Sequence, residues 1–162
     1  MTNHKLISYL GICLIFLLNS NSYAEKAPTF TLPGDTSDIS LENLNGKVVF
    51  LDFWASWCDP CRKSFLWMNE MTARFDSKKF AVVAINLDSS KEDAIKFLEK
   101  VPADFIVAYD PEGKTATQYD LKAMPSSYLI DKKGNLILTH KGYREGESAE
   151  IEKEILKLLN SK

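Results

Sequence analysis

Two cysteines stand two residues apart in Trp54-Ala55-Ser56-Trp57-Cys58-Asp59-Pro60-Cys61. A pair so spaced can hold half of a zinc site, staple a loop, or make and break disulfides in other molecules. Zinc commonly takes about four ligands, often from two such pairs. Outside this stretch the chain offers only Cys13, His4 and His140, and the first two lie at the extreme N-terminus. A staple across so short a loop constrains the unfolded chain little. Exchange chemistry uses more of the setting. If a strand runs into a turn and then a helix here, Cys58 sits just before the helix N-terminus. Free backbone N–H groups and the helix dipole favour a thiolate there. Cys61, one helical turn inward, can then reach back to a mixed disulfide and release the product. That chemistry assigns Cys58 as nucleophile and Cys61 as resolving thiol.

The elements around the pair fit this placement. Lys47 to Trp54, KVVFLDFW, is a β-branched and aromatic run suited to a buried central strand. Pro60 is compatible with the first turn of a helix. From Cys61 to about Phe75, the residues Phe65, Met68, Met71 and Phe75 recur at helical spacing. Phe80–Leu87 reads as a second buried strand. Ser89 or Ser90 is placed to cap a helix over Lys91–Val101, with Ala94, Phe97, Leu98 and Val101 inward. Asp104–Asp110 reads as a third strand and Pro111–Tyr119 as a short helix. Beyond Pro125, SSYLID and NLILTHKGY flank Lys132-Lys133-Gly134, a hairpin signal. Ile151, Ile155, Leu158 and Leu159 form one stripe of a closing helix over Ser148–Leu159. Residues 25–46, with two prolines and two glycines, form a leading segment of turns and a small hairpin. Strands alternating with helices, then a hairpin, predict an α/β domain on a mixed central sheet.

Residues 1–24 are a different material. Lys5 supplies a positive end, Leu6 to Leu18 is an apolar run, and Ser22 and Ala24 suit the −3 and −1 positions of a cleavage site. No acidic residue occurs before Glu25. The run is shorter than the about 20 residues of a transmembrane helix. The expectation is a signal peptide over 1–24 followed by one domain over 25–162, with an uncleaved anchor as the alternative. Cleavage would remove Cys13, leaving the Cys58–Cys61 pair in an extracytoplasmic, disulfide-permissive compartment such as the periplasm. Lys and Arg number 20 against 22 Asp and Glu, with no basic block, so nucleic acid is not an expected partner.

Val49 to Cys61, VFLDFWASWCDPC, closely resembles the active-site strand and turn of thioredoxins. The opening Ala27-Pro28-Thr29-Phe30-Thr31-Leu32, the lead-in Gly46-Lys47-Val48-Val49 and Met124-Pro125-Ser126-Ser127-Tyr128-Leu129-Ile130-Asp131 resemble the exported TlpA-like branch. The resemblance implies a thioredoxin-like fold with an N-terminal extension and a strand–helix insertion before a cis-proline at Pro125, which would face the cysteines. It implies that Asp52, buried on its strand, shuttles a proton for the resolving thiol. The lysine that partners this aspartate in thioredoxins corresponds to Ala84, so proton handling would run through water or be weaker. Trp57, Met124 and Pro125 are the expected substrate contacts, and Asp59 and Pro60 the residues that tune the redox pair. The Asp59 charge would oppose a thiolate at Cys58, and its carboxylate would compete for the helix-terminal N–H groups. His140 reads as a surface or hairpin residue.

The activity so implied is reduction of disulfides in exported proteins, apocytochrome c among them. A membrane thiol carrier would donate the electrons, the protein would be a monomer, and neither metal nor other cofactor would be needed. Two rivals remain. A thiol peroxidase shares the opening motif but sets its cysteine in Pro-x-x-x-Thr-x-x-Cys, which is missing here. A copper-delivery module would want wider cysteine spacing and a supporting histidine.

Overall fold

The computed structural model describes residues 25–144 and 146–161; the expected signal segment lies outside the described residues. A five-stranded sheet organises the domain. Its strands are β3 (Val48–Trp54), β4 (Phe80–Asn86), β5 (Ile106–Tyr109), β6 (Ser126–Ile130) and β7 (Leu136–Lys141), in the order β5-β4-β3-β6-β7. The first three run parallel, and β6 and β7 are antiparallel to their neighbours. A separate hairpin of β1 (Thr31–Pro33) and β2 (Asp38–Ser40) forms the N-terminal extension.

β3 and β4 are buried at every position, as continuous apolar runs between two layers must be. Alternate residues of β3 serve opposite layers. Val48, Phe50 and Trp54 face a core shared with α1 (Cys61–Arg74), α2 (Lys91–Leu98) and α4 (Ser148–Asn160). Val49, Leu51 and Phe53 face the other core, built with the N-terminal segment and α3 (Lys114–Gln118). Asp52 belongs by parity to the first layer, the one that carries both cysteines. The edge strand β7 alternates between half-buried and exposed residues.

Two helix boundaries differ from the sequence expectation for local reasons. α2 stops at Leu98 rather than Val101, because Pro102 disfavours a helical residue before it. The Val101 N–H closes on the Phe97 carbonyl at 2.9 Å. α3 starts at Lys114 rather than Pro111, because Gly113 takes a left-handed conformation (φ 65°). The Asp110 carboxylate then accepts hydrogen bonds from the N–H groups of Lys114, Thr115 and Ala116 at 3.1, 2.8 and 3.2 Å. Ser90 occupies the N-cap of α2, but its hydroxyl bonds Glu92 instead of a helix N–H. The expected β6–β7 turn forms around Gly134 (φ 77°). There the Asp131 carboxylate accepts from the N–H groups of Lys133 and Asn135, each at 2.8 Å.

Candidate active site

Cys58 and Cys61 form a disulfide where β3 gives way to α1. Cys58 retains 4% of its surface and Cys61 none. The turn closes on itself: the N–H of Cys58 donates to Ala55 O at 3.0 Å and that of Cys61 to Cys58 O at 3.1 Å. The Arg62 and Lys63 N–H groups likewise bond the carbonyls three residues back, each at 3.2 Å. In the disulfide form, then, three N–H groups of the helix start are already engaged. Trp57 stands beside the pair, 68% exposed.

Asp59 does not act as the sequence suggests. Its carboxylate was expected to compete for helix-terminal N–H groups, yet no side chain caps α1. The Asp59 side chain is 96% exposed and lies 3.9 Å from Arg62 Nε. An exposed charge of this kind is screened by solvent. Pro60, at φ −66°, occupies the N-cap of α1.

The turn is pinned from outside by a group the sequence reading missed. Asp88, just past β4 and buried, accepts from the Ser56 N–H at 2.8 Å, the Ser56 hydroxyl at 2.9 Å and Asn86 Nδ2 at 2.7 Å. Two polar residues, Asn86 and Asp88, ending an apolar strand were the available signal. The α2–β5 segment that follows β4 adds an apolar brace. Phe97 of α2 lies 4.9 Å from Trp54 and 5.2 Å from Phe65, while Phe105 lies 5.1 Å from Phe65. Arg62 stacks its guanidinium over Phe97 at 4.8 Å. Rings at these separations add about 0.5–1.5 kcal/mol per pair beyond area burial. The helix that carries Cys61 is therefore held rigidly against the sheet.

Asp52 is 2% exposed, and its Oδ2 has no hydrogen-bond partner among the described residues. Burial without a compensating cation holds its carboxyl well above the usual range. The residue facing it on β4 is Ala84, as the thioredoxin resemblance anticipates. Ser64, one turn along α1 from Cys61, donates to the Cys61 carbonyl at 2.9 Å and lines a small cavity together with Asp52 and Pro125. The Met124–Pro125 peptide is cis, and the Pro125 carbonyl accepts from the Gly142 N–H at 2.8 Å. Met124 packs against the core cluster that contains both cysteines. The structure thus gathers Cys58, Cys61, Asp52, Met124 and Pro125 at one end of the sheet. His140, expected at the surface or in the hairpin, lies on the hairpin strand β7, half-buried, and lines the same cavity.

A cysteine pair closed into a disulfide at a strand–helix junction, on a sheet of this order, defines a thioredoxin-like thiol–disulfide oxidoreductase. Comparison with known proteins agrees. Residues 23–139 match the AhpC/TSA family. The thiol-disulfide oxidoreductase ResA of Bacillus thuringiensis is 33% identical over 127 residues, which is 78% of this chain and 73% of that protein. ResA of Bacillus subtilis is 35% identical over 120 residues, 73% of this chain and 66% of that protein. A Chlorobium tepidum structure assigned as thiol:disulfide interchange protein DsbE superposes with a TM-score of 0.83 at 51% identity, covering 85% of this chain and 97% of that one. The chain belongs to the AhpC/TSA family of the thioredoxin superfamily, within its TlpA-like thiol–disulfide oxidoreductases. It is an enzyme of disulfide exchange, and its substrates are proteins. The ResA and DsbE relatives carry the names of thiol–disulfide oxidoreductases and an interchange protein.

Proposed function

We propose that this protein is an exported reductant of protein disulfides, with Cys58 as nucleophile and Cys61 as resolving thiol. The observation that carries the reading is the position of the pair: Cys58 next to exposed Trp57, Cys61 sealed on α1 above the layer of Asp52. A substrate disulfide is attacked by the Cys58 thiolate, which forms a mixed disulfide and expels one substrate thiolate. Cys61 then attacks Cys58 Sγ, closing the internal disulfide and releasing the second thiolate. Asp52 accepts the Cys61 proton in this direction and returns it in the other. Trp57 offers an apolar surface to the substrate, and Met124, ahead of β6, offers backbone groups to an extended segment beside Pro125. A membrane thiol donor would restore the dithiol. Residues 1–24 act as a signal peptide cleaved after Ala24, and the domain works as a monomer outside the cytoplasm. Apocytochrome c is one candidate substrate.

The reducing direction rests on the surroundings of Cys58. The N–H groups of the helix start bond backbone carbonyls, and the buried carboxylate of Asp88 is fastened two residues before the nucleophile. Both leave a thiolate less stabilised and the dithiol a readier donor. The test is the reduction potential of the Cys58–Cys61 pair in glutathione or dithiothreitol buffers. A value below roughly −200 mV is expected, toward thioredoxin and away from the strong oxidants near about −120 mV. A value at the oxidant end would leave an oxidase instead. N-terminal sequencing of the exported protein checks cleavage.

A further inference from the structure

Asp52 needs a way to exchange its proton with solvent, and the β4 side offers none: Ala84 faces it there. The other side differs. Asp52 of β3 pairs in register with Ser127 of β6, and Ser127 with His140 of β7. Residues directly opposite on neighbouring strands project to the same face, so the three side chains form one row across the sheet. All three line the same narrow cavity, which has room for about one water. The inner end is the unpartnered Oδ2 of Asp52, and the outer end is His140, 20% exposed. Histidine is the side chain that ordinarily gives and takes protons near neutral pH.

We propose that this row is the proton path of the active site, with His140 re-protonating and de-protonating Asp52 from the solvent side. His140 touches neither substrate nor sulfur; it acts through Asp52. The ring has a counter-charge in place. Its Nε2 lies 3.1 Å from Glu147 Oε2, off the direction of a hydrogen bond, and Glu147 Oε1 accepts from Arg144 Nη1 at 2.8 Å. Among the described residues, the titratable or charged groups around the ring are Asp52 from β3, Tyr143 and Arg144 from the loop after β7, and Glu147 at the start of α4.

The step balances. A reductant thiolate attacks Cys58 Sγ, the Cys58–Cys61 bond breaks, and its electron pair stays on Cys61 Sγ. That sulfur takes the proton of the Asp52 carboxyl. The Asp52 carboxylate is refilled from the His140 imidazolium across the cavity, and solvent refills the imidazole. The reductant's second thiol then releases Cys58 and departs as a disulfide. Oxidation of the dithiol by substrate runs the same path outward.

The inference rests on the exchange reading only in requiring that the pair cycles. Its test is stopped-flow reduction of the Cys58–Cys61 disulfide by dithiothreitol, read by tryptophan fluorescence from pH 5 to 9. A wild type that does not exchange would mark failure of the proposed function; the variants test the path. His140→Gln should slow reduction about tenfold near neutrality, one order short of the range of about 10²–10⁴ for direct acid–base catalysts. It should also change the shape of the pH profile and not only its height. In an Asp52→Asn background His140→Gln should add nothing. Uniform slowing with an unchanged profile, or effects that multiply in the double variant, would overturn the path. Should His140→Gln not fold, Glu147→Gln, which removes the carboxylate beside the ring, is read in its place: a changed pH profile is expected, and an unchanged one counts against the proposal.

Discussion

Replacing Asp52 by Asn should stabilise the oxidised protein, and increasingly so as pH rises. The side chain is buried in the layer under α1, with Ala84 on one flank and Ser127 on the other. Nothing there offsets the desolvation of a carboxylate, which is why its pKa is raised. In the unfolded chain the same carboxyl titrates near about 3.9. The folded state therefore keeps this proton over a window in which the unfolded chain has released it. Where the native state binds more protons, unfolding free energy falls as pH rises. The stability tied to this proton is complete below the unfolded pKa and is lost as pH climbs to the raised folded pKa. Inside that window the slope is about 1.4 kcal/mol per pH unit. Asn does not titrate, so the variant escapes the slope while keeping the shape of the side chain. Leaving a buried polar or charged group unpaired costs about 1–3 kcal/mol, and that is the gain expected at pH 8, equal to several degrees in Tm. Urea unfolding of both oxidised proteins, followed by tryptophan fluorescence from pH 5 to 9, measures it. Parallel pH curves, or a wild type more stable at pH 8, would show Asp52 ionised and paired in the fold and refute the reasoning.

Three further changes probe the surroundings. Cys61→Ala should accumulate mixed disulfides with protein substrates through Cys58, and Cys58→Ser should form none; non-reducing gels with mass mapping read both, and capture through Cys61 would reverse the roles. Asp88→Ala leaves the Ser56 N–H, its hydroxyl and Asn86 Nδ2 without their acceptor; a loss of about 1–3 kcal/mol in urea unfolding is expected, with a more oxidising pair, and an unchanged potential would remove Asp88 from the redox argument. Phe97→Ala opens a void beside Trp54 and Phe65 and should destabilise by about 3–5 kcal/mol; a loss below about 1 kcal/mol would mean that the brace on α1 is not built by α2.

The cysteine pair, the strand that delivers it and the turn at Gly134 were legible because each is local: a buried run, a helix start, a residue with positive φ. The TlpA-like insertion was legible as chain length between Cys61 and Pro125. What escaped depends on register between distant segments. Ser56 and Asp88 meet because β3 and β4 pair in parallel from Val48 opposite Phe80 to Trp54 opposite Asn86. His140 read as a surface or hairpin residue because β7 alternates, and the alternation is real. Only the antiparallel register of β6 and β7 shows that its inward phase ends beside Ser127 and Asp52. Asp59 was misread for the opposite reason. Proximity in sequence to Cys58 suggested competition for helix N–H groups, but a side chain at the rim of a turn finds solvent first.

The two flanks of Asp52 also explain each other. On the β4 side, the inserted α2 and β5 bury Ala84 in a cluster with Phe97, Val107 and Trp54. A cation reaching Asp52 from that flank would have to be desolvated among aromatic rings, where an unpaired charge is costly. The same insertion that braces α1 therefore closes that side to protons. Two strands flank β3 on each side, but on the β6–β7 side the residues in register with Asp52 are polar, Ser127 and then His140, and all three line one cavity. A polar row of Asp52, Ser127 and His140 on that side can reach water without breaching the aromatic brace. Tightening the active-site helix and moving the proton exit to β7 are, on this argument, two consequences of one insertion.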